Sequence, residues 1–202
     1  DAIPIMPLDD LDELLEELVM RVKSKVSIQY AYLDRGFDRA KVINILKKYH
    51  VRYLMPMVRN EKVKQYMDKY EECPSKIVEN FWVGTATTNL VLVDDEEGIK
   101  RCFITNIKIG GPITHYLYRL YSRRWGIETS YRNMDKDFKP RTTSKNYCIR
   151  LFYFLFSVCL YNLWVLTNIC VGIAVYGRVP TRPIMTAKLF AIVLHMVQID
   201  DG

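Results

Sequence analysis

Five cysteines (Cys73, Cys102, Cys148, Cys159 and Cys170) form no Cys-x-x-Cys pair and keep no regular spacing. That leaves little room for a thiolate metal site or a disulfide framework, and it fits a reducing cytoplasm. Three of them lie in apolar surroundings, as buried free thiols often do. The chain has no internal repeat and no low-complexity tract, which sets aside solenoids and biased linkers. Its start, Asp-Ala-Ile-Pro-Ile-Met-Pro, lacks an initiator Met and a basic-then-apolar leader, and reads as an internal start. Finally, no charged residue falls between Leu151 and Gly177. By length that run could cross a bilayer, bracketed by Arg150 and Arg178. Against a span stand Ser157, Asn162, Thr167 and Asn168 within it. Tyr161 and Trp164 also sit mid-run, where membrane aromatics are uncommon. Gly172 and Gly177 suggest an early stop, and a buried core helix covering a sheet accounts for the run equally well.

Half of the 202 residues are hydrophobic, with fourteen Tyr and eight Phe. That is enough for a core, in one domain or one domain with a small insertion, and it argues against disorder. The net charge of +6 is unevenly placed. From Arg119 to Arg150 there are nine Lys or Arg against three acids, so this stretch carries the whole excess. Such a concentration favours a polyanionic partner, nucleic acid or an anionic surface, over a merely solvated face.

Asp9 and Asp10 can cap a helix bearing Leu11, Leu14, Leu15, Leu18 and Val22 on one face. Val26 to Leu33 then reads as a strand, ending at Asp34-Arg35-Gly36-Phe37. Asp38 would cap a second helix carrying Val42, Ile43, Leu46 and Tyr49, before a strand from Arg52 to Val58. Strand, helix, strand over about thirty residues is the βαβ unit of a parallel sheet. In open α/β sheets functional groups gather at the carboxyl ends of strands, where Asp34 falls. Asp before Arg-Gly is also good turn chemistry, so both readings stand at this point. A short charged helix follows over Glu61 to Tyr70. Three short strands (Lys76–Val83, Asn89–Val93 and Arg101–Thr105) then make a small antiparallel patch, closed by Gly110-Gly111-Pro112. Beyond it, Tyr116 to Lys139 reads as one helix with Tyr121, Arg124 and Glu128 along one side. Arg141 to Ser144 would cap a long helix from about Lys145. A last apolar helix spans Thr186 to Val197, its His195 a packed or surface imidazole.

Two acids therefore stand out, Asp34 and Glu128. Carboxylates from separate elements can converge on Mg²⁺, and a pair of ions about 3.5–4 Å apart can activate a hydroxyl and steady the leaving oxygen of a phosphodiester. Neighbouring cations would bind phosphate, and the rings of Tyr121 and Trp125 are available to stack on an unpaired base.

Tyr-Leu-Asp34-Arg-Gly-Phe37 and Tyr121-Ser-Arg-Arg124-Trp-Gly-Ile-Glu128 together resemble a DDE-type insertion-sequence transposase of the family-four class. The second segment matches that family's Tyr-x2-Arg-x3-Glu signature, and Tyr161 to Trp164 matches an apolar helix behind it. The resemblance covers nearly the whole chain, as the C-terminal two-thirds of the catalytic domain. It implies an α/β, RNase H-like mixed sheet flanked by helices, with a small antiparallel β insertion and the first strands missing. Residues 1–74 would be the βαβ part of the core, 75–111 the insertion, and 112–202 the C-terminal catalytic and core helices.

By the same resemblance the activity is Mg²⁺- or Mn²⁺-dependent cleavage at transposon ends and strand transfer. Asp34 and Glu128 would be catalytic metal ligands. Tyr121, Arg124, Trp125, Arg132, Lys136 and Lys139 would hold DNA. The implied setting is cytoplasmic, with a possible homo-oligomer and no membrane. Two departures qualify this. The signature Lys seven positions after the Glu is replaced by Asp135, leaving Lys136 or Lys139 to substitute. The family's first Asp would lie upstream of residue 1, so the chain alone is expected to show little or no strand transfer. Two rivals remain, a membrane-anchored basic protein spanning residues 151–177 and a DNA-binding remnant without chemistry.

Overall fold

The computed structural model describes residues 3, 5, 8–110 and 116–200, with side chains as far as residue 196. Part of the expected Gly110-Gly111-Pro112 stop lies outside the described residues. Two compact units are present, Asp1–Arg124 and Trp125–Gly202.

In the first unit, α1 (Leu11–Lys23) starts where Asp10 accepts a hydrogen bond from the Asp12 amide at 2.8 Å. Its early acids and late bases follow the helix dipole. β1 is only Tyr30–Tyr32, shorter than the Val26–Leu33 expectation. The amides of Lys25 and Val26 both bond back to the Val22 carbonyl, so these residues close α1 rather than extend the strand. β1 pairs in parallel with β2 (Arg52–Pro56), and α2 (Ala40–Lys48) connects them, which is the expected βαβ unit. Asp38 does not cap α2, contrary to expectation. Arg39 holds that position, and the Asp38 carboxylate instead accepts from the Val58 amide at 2.8 Å, tying the β1–α2 loop to the chain after β2.

After α3 (Glu61–Lys69), capped by Asn60, come β3 (Ser75–Val83), β4 (Ala86–Asp94) and β5 (Lys100–Thr105). A two-residue turn joins β3 to β4, with Gly84 at φ 54° as a type II′ hairpin requires. These strands are not a separate patch. β5 lies antiparallel to β2, giving one mixed sheet in the order β1-β2-β5-β4-β3. The reason is visible in the sequence: β4 and β5 are apolar on both faces, which suits strands buried in mid-sheet.

Side chains alternate accordingly. Tyr53, Met55, Leu90, Leu92, Cys102 and Ile104 face α1–α3, meeting Val19, Val42, Ile43, Leu46 and Val63. Leu54, Val91, Val93 and Phe103 face the other way, under Leu117 and Tyr121 of α4 (Leu117–Ser122). Asn106 continues the β5 ladder with its side chain, accepting from the Tyr53 amide at 2.9 Å and donating to the Val51 carbonyl at 3.0 Å.

Tyr53 is fully buried, its hydroxyl 2.7 Å from the Thr88 hydroxyl, which donates to the Thr105 carbonyl at 3.0 Å. Burial pushes its phenol from the ordinary 10 up to about 12, with the Thr88 bond acting weakly against this. The unfolded chain therefore ionises first as pH rises. The stabilisation is complete below pH 10 and is lost toward pH 12, on the order of 2 kcal/mol. Denaturant titrations at pH 9 and 11.5 should show that loss in the native chain and a smaller one in Tyr53→Phe. Equal losses would remove Tyr53 from the account.

The second unit contains α5 (Trp125–Asn133), a π-helical segment Met134–Phe138, α6 (Tyr147–Tyr176) and α7 (Ala187–Asp200). α6 is capped by Asn146, whose side chain accepts from the Cys148 amide at 2.9 Å, two residues later than the Arg141–Ser144 expectation. It does not stop at Gly172 but runs to Gly177, which closes it at φ 66°. One stripe of α6 is buried (Ser157, Trp164, Asn168 and Gly172), and Trp164 joins Phe138 and Phe190 in a small core. The opposite stripe, with Phe152, Phe156, Leu163, Leu166 and Ile173, is apolar and exposed.

Candidate active site

Asp34 sits just past β1, where sequence placed it. The Leu33 amide still bonds the Leu54 carbonyl at 3.2 Å, and Asp34 then caps a short 3-10 turn, Arg35–Phe37. Its Oδ1 accepts from the Arg35 amide at 2.7 Å. The residue makes the turn and projects an exposed carboxylate from a strand end. The Val58 amide bond to Asp38 fixes this loop against the end of β2.

Cations surround that strand end. Burial pushes the Cys102 thiol up, and the Arg59 guanidinium acts against this by charge and by a hydrogen bond. Arg59 further donates to the Lys100 carbonyl at 2.8 Å.

Tyr121 comes up from α4 on the other sheet face. Its ring packs against Phe103, centroids 5.3 Å apart, and is buried. A role in stacking on a base is therefore corrected for this ring; the hydroxyl is what Tyr121 presents. Its phenol is raised, chiefly by burial. Arg124 lowers it by charge and by a hydrogen bond, Asp34 raises it, and Arg35 lowers it. The Arg124 guanidinium also lies 5.6 Å from the ring centroid. A carboxylate, a phenol and two guanidiniums thus share one electrostatic neighbourhood.

The helix expected to carry Tyr121, Arg124 and Glu128 on one side is interrupted between them. The Arg123 and Arg124 amides bond carbonyls three residues back, at Leu120 and Tyr121, which tightens and closes α4. The Ser122 hydroxyl adds a bond to the Arg119 carbonyl, and Gly126 weakens the next turn. Within the second unit Glu128 stands partly buried in the first turn of α5, where a carboxylate suits the helix dipole. Trp125 is exposed at the start of that helix, and Arg132 is exposed near its end. Two residues from Glu128, the Ser130 hydroxyl lies 2.8 Å from that of Tyr161, anchoring α5 to α6.

Lys136 lies in the π segment and Lys139 caps it, the Lys139 amide bonding the Met134 carbonyl at 2.8 Å. Asp135, which replaces the signature lysine, forms an ion pair with Lys139 at 2.7 Å. Sequence reasoning passed over Arg35, the neighbour of Asp34, and also Arg141, Tyr147 and Arg150, which line a cleft beside Lys136. Only the local excess of Lys and Arg marked the last three. Among the described residues no three His, Cys, Asp or Glu side chains gather as a metal site. The exposed, singly bonded carboxylate of Asp34 suits a hard cation as one ligand of several.

No curated protein sequence matches the chain. Among solved structures, the fold is similar to piggyBac transposase in a synaptic complex with hairpin DNA, with a TM-score of 0.62 at 12% sequence identity. The likeness takes in 95% of this chain and 40% of that one, so the chain spans well under half of that protein's length. The family model for the transposase DDE domain matches residues 9–163, which include both Asp34 and Glu128. The chain belongs to the DDE-domain transposase family.

Proposed function

We propose that this chain is catalytic-core material of a DNA transposase that cuts and joins DNA ends. The observation that carries the reading is the exposed Asp34 carboxylate at the end of β1, in the same unit as the Arg124 guanidinium 5.6 Å from the Tyr121 ring, because a strand-end carboxylate and a phosphate-binding guanidinium suit phosphodiester chemistry. Asp34 and Glu128 would supply oxygen ligands to Mg²⁺ or Mn²⁺. When bound, such an ion supplies charge neutralisation and an activated hydroxyl. Arg124 then orients a phosphate, held in place by its own bond to the Tyr121 hydroxyl. The residues at 75–111 act as the family's β-rich insertion. Trp125, exposed, is the ring for an unpaired base, and Arg132 adds backbone charge.

Lys136 rather than Lys139 takes over the signature lysine's work. A π turn closes one residue later than an α turn, so eight residues here advance about as far as seven would in unbroken α-helix. Lys139 is meanwhile engaged by Asp135.

Binding of a fluorescent duplex, titrated against salt, tests this. Arg124→Ala should weaken binding about tenfold and reduce the slope of log K on log salt by about 0.9. Glu128→Gln should leave binding nearly intact. Unchanged affinity and slope in Arg124→Ala would remove the phosphate role. Salt-dependent binding without any divalent-ion effect, in Glu128→Gln and the native chain alike, would favour a DNA-binding remnant. The exposed apolar stripe of α6 favours the membrane rival, which requires the protein to appear in the detergent-extracted fraction after lysis.

A further inference from the structure

We propose that the cleft between the π segment and the first turns of α6 is a subsite for single-stranded DNA, an inference that rests on the chain acting on DNA. The cleft has a volume of about 1010 Å³ and is lined by Lys136, Lys139, Arg141, Arg150, Asp135 and Tyr147, among others. Four of these are cations and one is an acid. Asp135 neutralises Lys139 at 2.7 Å, whereas Lys136, Arg141 and Arg150 have no side-chain partner among the described residues. Three uncompensated charges around a concavity repel one another, and a polyanion relieves this. The positive end of the thirty-residue helix α6 opens on the same space.

Shape and chemistry select the unpaired strand. A volume near the upper end of the roughly 300–1,000 Å³ typical of ligand pockets holds a few nucleotides but not a duplex. Tyr147 is half exposed, and Tyr153 and Phe154 line the wall. Rings of this kind gain from stacking only where a base face is free, which paired DNA denies them. Arg141 and Arg150 then hold the phosphates on either side of the base stacked on Tyr147.

The test compares a short oligothymidylate with a duplex of equal length, by anisotropy across a salt series on the whole chain. Arg141→Ala with Arg150→Ala should weaken oligothymidylate binding at least tenfold and lower its salt slope by about 1.4, two contacts at about 0.7 each. Duplex affinity should change less than twofold. Tyr147→Leu should cost about tenfold with an unchanged slope, and Tyr147→Phe should restore affinity. Because these side chains are exposed, thermal melts should coincide with the native chain. The inference falls if the double variant binds oligothymidylate as the native chain does, or if duplex binding drops equally. In the first case, Arg124-dependent duplex binding that persists leaves the transposase reading standing. Absence of binding to either DNA form would remove both.

Discussion

Trp164→Ala is expected to destabilise the helical unit by about 4 kcal/mol, the scale of large-to-small changes at buried aromatics. Trp164 is buried on α6 and sits 5.8 Å from the Phe138 ring and 5.5 Å from that of Tyr161, centroid to centroid. Its indole N–H donates to the Met185 carbonyl at 2.8 Å. Asn168, one turn on, accepts from the Met185 amide at 2.7 Å and donates to the Trp164 carbonyl at 2.9 Å. One residue of the segment before α7 is thus held by two side chains of α6. Alanine would open a cavity among three aromatic rings and deprive Met185 of its better donor. Hydrogen exchange offers a local readout. Amides of α7 and the π segment should lose protection, while those of β4 and β5 keep theirs, because each unit has its own core. Trp164→Phe keeps most of the packing and loses the indole bond, so about 1–2 kcal/mol should go. Equal effects for the two substitutions would show that the ring volume is not what matters.

Much of the first unit was legible because its signals are periodic. Alternation in Tyr53-Leu54-Met55 and the apolar runs of β4 and β5 specify both faces of a buried strand without reference to anything distant. Asp34 was legible for a related reason, since the chain must turn at the end of β1 and a carboxylate serves that turn. Pairing partners were not. That β5 would add to β2, merging the insertion into one sheet, depends on contacts across fifty residues. Nor was the length of β1, which is set by how much of β2 it meets.

The helix expected over Tyr116 to Lys139 shows the same limit in the site. A 3.6-residue period suggested a continuous face from Tyr121 to Glu128, but three-residue-back bonds at Arg123 and Arg124 end the first helix there. Tyr121 looked like a ring available for stacking because sequence cannot report that Phe103 already covers it. The π turn is equally silent in the sequence; its last bond runs from the Lys139 amide to the Met134 carbonyl. Function entered the sequence through Tyr-x2-Arg-x3-Glu, whereas the cleft at Arg141, Tyr147 and Arg150 required a fold to assemble it.

Gly172→Ala should run against the ordinary rule for helices. In an exposed helix interior alanine in place of glycine adds about 1 kcal/mol of stability. Gly172 lies buried in α6, and a Cβ there would stand 2.8 Å from Pro180 Cγ and closer still to its Cδ. No heavy atoms rest that close, and a proline ring cannot rotate aside as a long side chain would. The segment after Gly177 must move, and its nearest anchor is Met185, already bound to Asn168 and Trp164. Overpacking of this kind typically costs about 1–3 kcal/mol, so the net change should be destabilising despite the gain in propensity. Pro180→Ala removes the obstructing ring. The double variant should therefore recover most of the loss, with a coupling of about 1–2 kcal/mol in a double-mutant cycle. Thermal denaturation of the four proteins reads this directly. A Gly172→Ala protein as stable as the native one would mean that Pro180 does not press on α6 in solution, and strict additivity would place the cost elsewhere.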